Sequence, residues 1–149
     1  MFKKVFYFLP TIILLTFSFF QLICQETQKQ IVVRVLDGDT IELENGDRVR
    51  LLGIDAPEIG EPFSQEAKLA LEEMVLNRLV KMEKDSSWNK DKYGRFLRYV
   101  FLDDRLVNCE IVRLGLAKNI AEEENKYYDC FQKAEQEAKE KKIGIWSSS

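Results

Sequence analysis

The amino-acid sequence predicts an α+β domain in which five strands close a small barrel and three helices pack around it. Three features of the pattern point there. Segments with the two-residue period of half-buried strands cluster between residues 31 and 54, separated by tight-turn signals. One helical pattern follows before two more strand-like segments. Two further helical patterns close the chain.

Taken in order, Ile31-Val32-Val33-Arg34-Val35-Leu36 is rich in β-branched residues and stops at Asp37-Gly38-Asp39, a turn sequence. Thr40-Ile41-Glu42-Leu43 alternates polar with apolar, and Asn45-Gly46 marks a tight hairpin. Arg48 to Ile54 returns as a third strand, which Asp55-Ala56-Pro57-Glu58 ends. Ala67 to Leu79 is amphipathic, with Ser64 as its expected N-cap. Leu79–Lys84 and Arg95–Leu102 read as strands four and five, joined by the polar stretch Asp85–Gly94. Val107–Leu114 forms a short helix ended by Gly115. A longer one spans about Asn125 to Lys142, with Phe131, Ala134, Ala138 and Ile143 inward. A helix between the third and fourth strands of a five-stranded Greek-key β-barrel is the OB-fold arrangement.

With 149 residues, 46% of them hydrophobic, the chain has room for one domain with its own core and an N-terminal extension. That extension is residues 1–24. Lys3 and Lys4 precede an apolar run from Val5 to Cys24, after which Gln25-Glu26-Thr27-Gln28 turns polar. A buried core helix would carry a polar face, and this run has none, so it reads as an export signal. Its fate stays open among cleavage, lipidation at Cys24, although Gln21-Leu22-Ile23 is a poor lipobox, and retention as a membrane anchor. The expected product is an exported protein, secreted or tethered to the outer face of the membrane, whose domain covers residues 25–149. A monomer is expected. Cys109 and Cys130 either pair in an oxidising compartment or fill the core as small apolar residues.

The chain contains no histidine, which excludes Ser-His-Asp hydrolysis, His-liganded nuclease sites and HExxH proteases. Hydrolytic chemistry would have to use carboxylates, Arg, Lys, Tyr or a metal held by oxygen. Two stretches offer such groups. In the first, Asp39 begins strand two and Asp55 ends strand three, so a hairpin brings them to one rim. Paired carboxylates beside free carbonyls make a hard-oxygen site for Ca²⁺ or Mg²⁺, although Asp and Gly are also ordinary turn residues. The second is Asp91-Lys92-Tyr93-Gly94-Arg95. Arg50 and Arg95 both lie at strand ends and can reach one groove, where guanidinium groups grip phosphate with two donors each. Glu58, close to Asp55, is the natural general base in a chain without histidine. An isolated Arg is more often an ordinary surface ion pair.

Asp37-Gly38-Asp39-Thr40, Arg50-Leu51-Leu52 with Asp55, Pro57 and Glu58, and Asp91-Lys92-Tyr93-Gly94-Arg95 resemble the signature segments of the staphylococcal nuclease (thermonuclease) family. Val107-Asn108, Gly115-Leu116-Ala117-Lys118 and Ile145-Trp146 extend the resemblance, in order, over residues 31–146. The resemblance implies that Asp39 and Asp55 bind Ca²⁺ with the backbone carbonyl of Ala56 beside them. It implies Arg50, Glu58 and Arg95 as the catalytic trio, and Lys92 and Tyr93 as contacts to nucleotide phosphate. The implied reaction is attack of water on phosphorus in DNA or RNA, cutting the 5′ P–O bond to leave 3′-phosphorylated products. The competing reading is a catalytically inactive OB module that binds nucleic acid or a protein partner. Loss of one of the trio would mark it, and all three are present.

Three departures accompany the resemblance. The Pro57–Ser64 loop is short. Asn119-Ile120-Ala121-Glu122 stands where base-stacking tyrosines are expected, leaving Tyr127 and Tyr128 as substitutes. The net charge is −3, where a tight nucleic-acid binder is expected to be basic.

Overall fold

The computed structural model describes residues 28–85 and 89–147, so the expectations for residues 1–24 and for Cys24 lie outside the described residues. Strands β1 (Gln28–Val35), β2 (Thr40–Leu43) and β3 (Arg48–Leu51) form the expected antiparallel meander, with Val35 opposite Ile41 and Thr40 opposite Arg50. The third strand is shorter than its apolar pattern suggests. At Gly53 the backbone takes φ +82° and turns away, and Ile54–Asp55 becomes a separate strand, β4. Helix α1 (Ser64–Val75) leads into β5 (Leu79–Glu83) and β6 (Phe96–Leu102).

β5 pairs with the free edge of β1, β6 pairs with β5, and β6 also runs parallel to β3, with Arg50 opposite Leu97. This last pairing closes a five-stranded barrel. The remaining elements are β7 (Arg105–Leu106), α2 (Val107–Arg113), β8 (Lys118–Asn119), α3 (Tyr128–Lys141) and a 3₁₀ turn at Gly144–Trp146. β8 pairs with β4, placing Lys118 opposite Asp55.

Alternate residues of β2, β3 and β5 fill the barrel as their patterns predicted, and a register irregularity between Val32 and Arg34 lets β1 bury both Val32 and Val35. Val32, Val35, Ile41, Leu43, Val49, Leu51, Val80, Met82 and Val100 are buried together. Ala67, Leu71 and Val75 seal α1 onto this core, and Phe131, Ala134 and Ala138 seal α3. Ile143, expected inside, is only half-buried. Ser64 is not the N-cap of α1. Phe63 holds that position at φ +67°, and the Ser64 hydroxyl donates to the Glu61 carbonyl at 2.7 Å. The left-handed residue redirects the chain where a side-chain cap was expected.

Cys109 on α2 and Cys130 on α3 form a disulfide, which resolves the alternative left open by the sequence. Among the described residues no helix is long and apolar enough to cross a membrane.

Two glycines set the close approaches that shape the site. A Cβ at Gly38 would lie 2.7 Å from the Cβ atoms of both Ala56 and Ala67, so the Asp37–Asp39 turn can touch the Ala56 loop and α1 only as glycine. At Gly53 a Cβ would lie 2.9 Å from the Phe131 ring, and α3 packs directly over this turn.

Candidate active site

The rim of the barrel where β1 passes into β2 gathers side chains from four segments. Asp39, in the turn before β2, is buried. Its Oδ1 accepts the Thr40 hydroxyl at 3.0 Å and its Oδ2 accepts the Ala56 N–H at 3.0 Å. Arg50 on β3 sets its Nη2 3.0 Å from Asp39 Oδ2 and 3.1 Å from Asp55 Oδ1, between the two carboxylates. Its Nη1 donates to the carbonyls of Leu51 (3.1 Å) and Ile54 (2.8 Å), which fixes the guanidinium across the β3–β4 corner. The convergence of Asp39 and Asp55 expected from the hairpin is therefore observed, with a cation between them.

The two carboxylates are not equivalent. The Asp39 side chain is 8% exposed and that of Asp55 is 53% exposed. Burial pushes the Asp39 carboxyl up to about 6, against the opposing pull of Arg50 and of the Ala56 N–H, with Asp37 adding to the rise. Asp39 is thus an anchored, desolvated carboxylate that favours a positive partner, and Asp55 is open to solvent.

Arg95 joins the same rim from the turn that enters β6. Its Nη1 donates to Thr40 Oγ1 at 3.2 Å, and its Nε to Asp91 Oδ2 at 2.7 Å. Asp91 Oδ1 also accepts the N–H groups of Tyr93 (2.9 Å) and Arg95 (3.0 Å). Burial alone would raise the Asp91 carboxyl, but these hydrogen bonds outweigh it and hold the group below its ordinary value. Thr40 therefore links the Asp39 cluster to Arg95, and Asp91 holds the arginine in place. Neither role was assigned from the sequence. The adjacency of Thr40 to Asp39 and the four-residue spacing of Asp91 and Arg95 were the available signals.

Glu58 lies in the exposed loop after β4. Its backbone is fixed by Glu61, whose Oε2 accepts the Glu58 N–H at 2.8 Å, while its side chain makes no hydrogen bond or ion pair among the described residues. Lys92 and Tyr93 are both exposed. Tyr93 is 72% exposed, with Lys92 Nζ 5.0 Å and Arg95 Cζ 5.4 Å from its ring centroid. Tyr93 is thus an aromatic surface beside the Arg95 end of the rim. Of the trio expected from the sequence, Arg50 and Arg95 are bound into one hydrogen-bonded cluster, and Glu58 lies in the exposed loop three residues past Asp55.

The model for staphylococcal nuclease homologues matches residues 48–148. The chain belongs to this family. It is 39% identical over 127 residues to the SPbeta prophage-derived endonuclease YokF of Bacillus subtilis, a match covering 78% of this chain and 43% of that protein. The endonuclease YncB of the same organism is also 39% identical over 127 residues, with 78% and 60% covered. A thermonuclease of Staphylococcus intermedius is 35% identical over 129 residues, covering 80% of this chain and 76% of that protein. The chain spans less than two thirds of either Bacillus endonuclease.

The family match begins at β3 and leaves out Asp37, Asp39 and Thr40. The fold nonetheless brings these residues onto Arg50 and Asp55. The substitute tyrosines are accounted for differently. The Tyr127 hydroxyl donates to Glu83 Oε2 at 2.7 Å, and its ring packs edge-on against Tyr99 and Phe101. It is committed to the barrel wall and does not serve as a base-stacking group. Tyr128 begins α3 and is half-buried.

Proposed function

We propose that the chain is a nuclease that hydrolyses phosphodiester bonds of DNA or RNA with the help of Ca²⁺, leaving 3′-phosphorylated products. The observation that carries this reading is the Arg50 guanidinium held between Asp39 and Asp55, tied through Thr40 to a second arginine, on a member of a family whose described relatives are endonucleases and thermonucleases.

The donor set fits a hard divalent ion. Asp39 and Asp55 already share one cationic partner, Arg50, and the groups there able to ligate a metal are oxygens. Among the described residues no group of three or more His, Cys, Asp or Glu forms a metal cluster, so the ion would rest on these two carboxylates, the Ala56 carbonyl and water. When bound, Ca²⁺ would supply Lewis-acid stabilisation of charge on a phosphate oxygen.

The remaining work falls to the chain's own groups. Arg50 and Arg95 bind the phosphate oxygens and stabilise the charge that builds on them during attack. Glu58, exposed in its loop, accepts the proton of the attacking water. Lys92 and Tyr93 bind a neighbouring phosphate and sugar face beside Arg95. With a net charge of −3, binding would rely on this local cluster in place of a general basic surface.

The test is hydrolysis of DNA and RNA by the full chain in Ca²⁺, repeated in excess chelator, with end-group analysis of the products. Undiminished activity in chelator would refute the metal requirement. Binding of nucleic acid without cleavage in Ca²⁺ would establish the inactive-module reading instead.

We further propose that the domain works outside the cytoplasm, delivered by the segment Lys3–Cys24 and secreted or held at the membrane by it. The Cys109–Cys130 disulfide supports this, because structural disulfides persist in oxidising compartments. Labelling with a radioactive fatty acid tests the lipid tether at Cys24.

A further inference from the structure

The parallel contact between β3 and β6 ends in an unusual way. Leu52 N–H donates to the Arg98 carbonyl at 2.9 Å, as the continuing ladder requires. The next rung would be Val100 N–H to the Leu52 carbonyl. That bond is replaced. Val100 N–H donates to Asn108 Oδ1 at 2.8 Å, and Asn108 Nδ2 donates to the Leu52 carbonyl at 2.9 Å and to the Arg98 carbonyl at 3.1 Å. The carboxamide of Asn108, fully buried on the first turn of α2, stands in the ladder as a surrogate peptide group.

We propose that Asn108 is a positioning residue of the active site: its side chain is a wedge that ends the β3–β6 ladder and thereby sets the separation of the two arginines and of Asp55. This rests on the nuclease reading given above. The physical case is one of geometry and polar accounting. β3 carries Arg50, and the Leu52-Gly53 corner, held by Asn108, aims Asp55. β6 follows directly on Arg95. A direct Val100–Leu52 bond would draw the strands together at the point where β3 must leave for β4. An amide can be inserted there because it offers an acceptor on one side and two donors on the other, so that the buried Val100 N–H, the buried Arg98 carbonyl and the part-buried Leu52 carbonyl are all paired. An apolar side chain of the same size would fill the volume and orphan two of those groups outright.

Catalytic groups misplaced by about 1 Å commonly lose activity by ~100-fold. Asn108→Leu is therefore compared with Leu43→Ala, a cavity at the far end of β2 from Asp39 chosen to lower the melting temperature to a similar degree. For the full chain in mild detergent, kcat, KM and the Ca²⁺ concentration giving half-maximal activity are measured well below both melts. Amide resonances of Gly53, Asp55 and Arg95 are recorded alongside. The expected result is that Asn108→Leu loses ~10- to 100-fold in kcat, needs more Ca²⁺, and shifts those three amides. Leu43→Ala should change none of these.

Equal kinetic behaviour of the two variants would overturn the proposal and leave Asn108 a merely structural residue. If the wild-type chain cleaves neither DNA nor RNA, the nuclease reading fails by itself. The amides then decide: shifts confined to Asn108→Leu sustain the wedge, and their absence overturns it. If Asn108→Leu does not fold, Asn108→Ser, which keeps a shorter donor–acceptor group, is read in the same way.

Discussion

The buried Asp39 carboxyl makes a prediction in which pH, stability and metal are linked. Its pKa rises from 3.8 to about 6 on folding, chiefly because burial strips its carboxylate of water. A carboxyl with a raised folded-state pKa binds its proton more tightly in the folded chain than in the unfolded one. Its contribution to stability is complete below the unfolded value and is lost as pH rises through about 6. The difference corresponds to about 3 kcal/mol, or roughly 10 °C in melting temperature for a domain of this size. In chelator, Asp39→Asn should therefore melt close to wild type at pH 4 and above it at pH 7.5, because the amide carries no buried charge. The assay is a pair of melts for each protein across this range. Addition of Ca²⁺ at pH 7.5 should raise the wild-type melt and leave that of Asp39→Asn nearly unchanged, since a bound cation offsets the hydration that burial takes from the carboxylate. If the difference between wild type and variant were the same at pH 4 and pH 7.5, Asp39 would not be titrating in this window, and the account of its desolvation would be wrong.

Other consequences are more direct. Arg95→Ala should lower kcat by about 100- to 1000-fold in a nuclease assay, and Arg50→Lys should fall similarly, because an ammonium cannot span Asp39, Asp55 and two carbonyls as the guanidinium does. Glu58→Gln should lower kcat while leaving KM and the melting temperature near wild type, since the side chain is exposed and holds no hydrogen bond or ion pair among the described residues; a near-normal kcat would remove Glu58 from the reaction. Reducing the Cys109–Cys130 bond, or substituting Cys130→Ser, should cost about 3 kcal/mol by releasing the 21-residue separation in the unfolded chain; thermal melts with and without reductant read this directly.

How much of this was legible beforehand follows from the range of the interactions concerned. The sequence determined the strands and helices, because each is a local pattern of period two or about 3.6 that the core then buries. Val35, Ile41 and Val49 point inward while their strand neighbours Arg34, Glu42 and Arg48 stay nearer the solvent. It also determined the hairpin at Asn45-Gly46, which sets Thr40 opposite Arg50 and so brings Asp39 and Arg50 to one rim; the turn at Gly53 then carries Asp55 to them. The absence of histidine confined the chemistry to carboxylates and guanidinium groups.

Tertiary structure decided what no local pattern carries. The end of β3 was missed because Leu52-Gly53-Ile54 continues an apolar run, and only Phe131 packing over Gly53, with β8 pairing onto β4, shows the chain turning away. The left-handed Phe63 displaced Ser64 from the cap, since the entry angle of α1 is set by its packing on the barrel and not by the cap residue. Tyr127 went to Glu83, more than forty positions earlier in the chain, and Cys109 found Cys130 because α2 and α3 pack side by side. Arg95 reached Thr40 only because β6 closes the barrel in parallel against β3, and Asn108 occupies the seam where that closure stops. Periodicity reports which face of an element is buried. Which elements meet, and which polar group must then complete a broken ladder, is settled by long-range pairing that has no signature in local sequence.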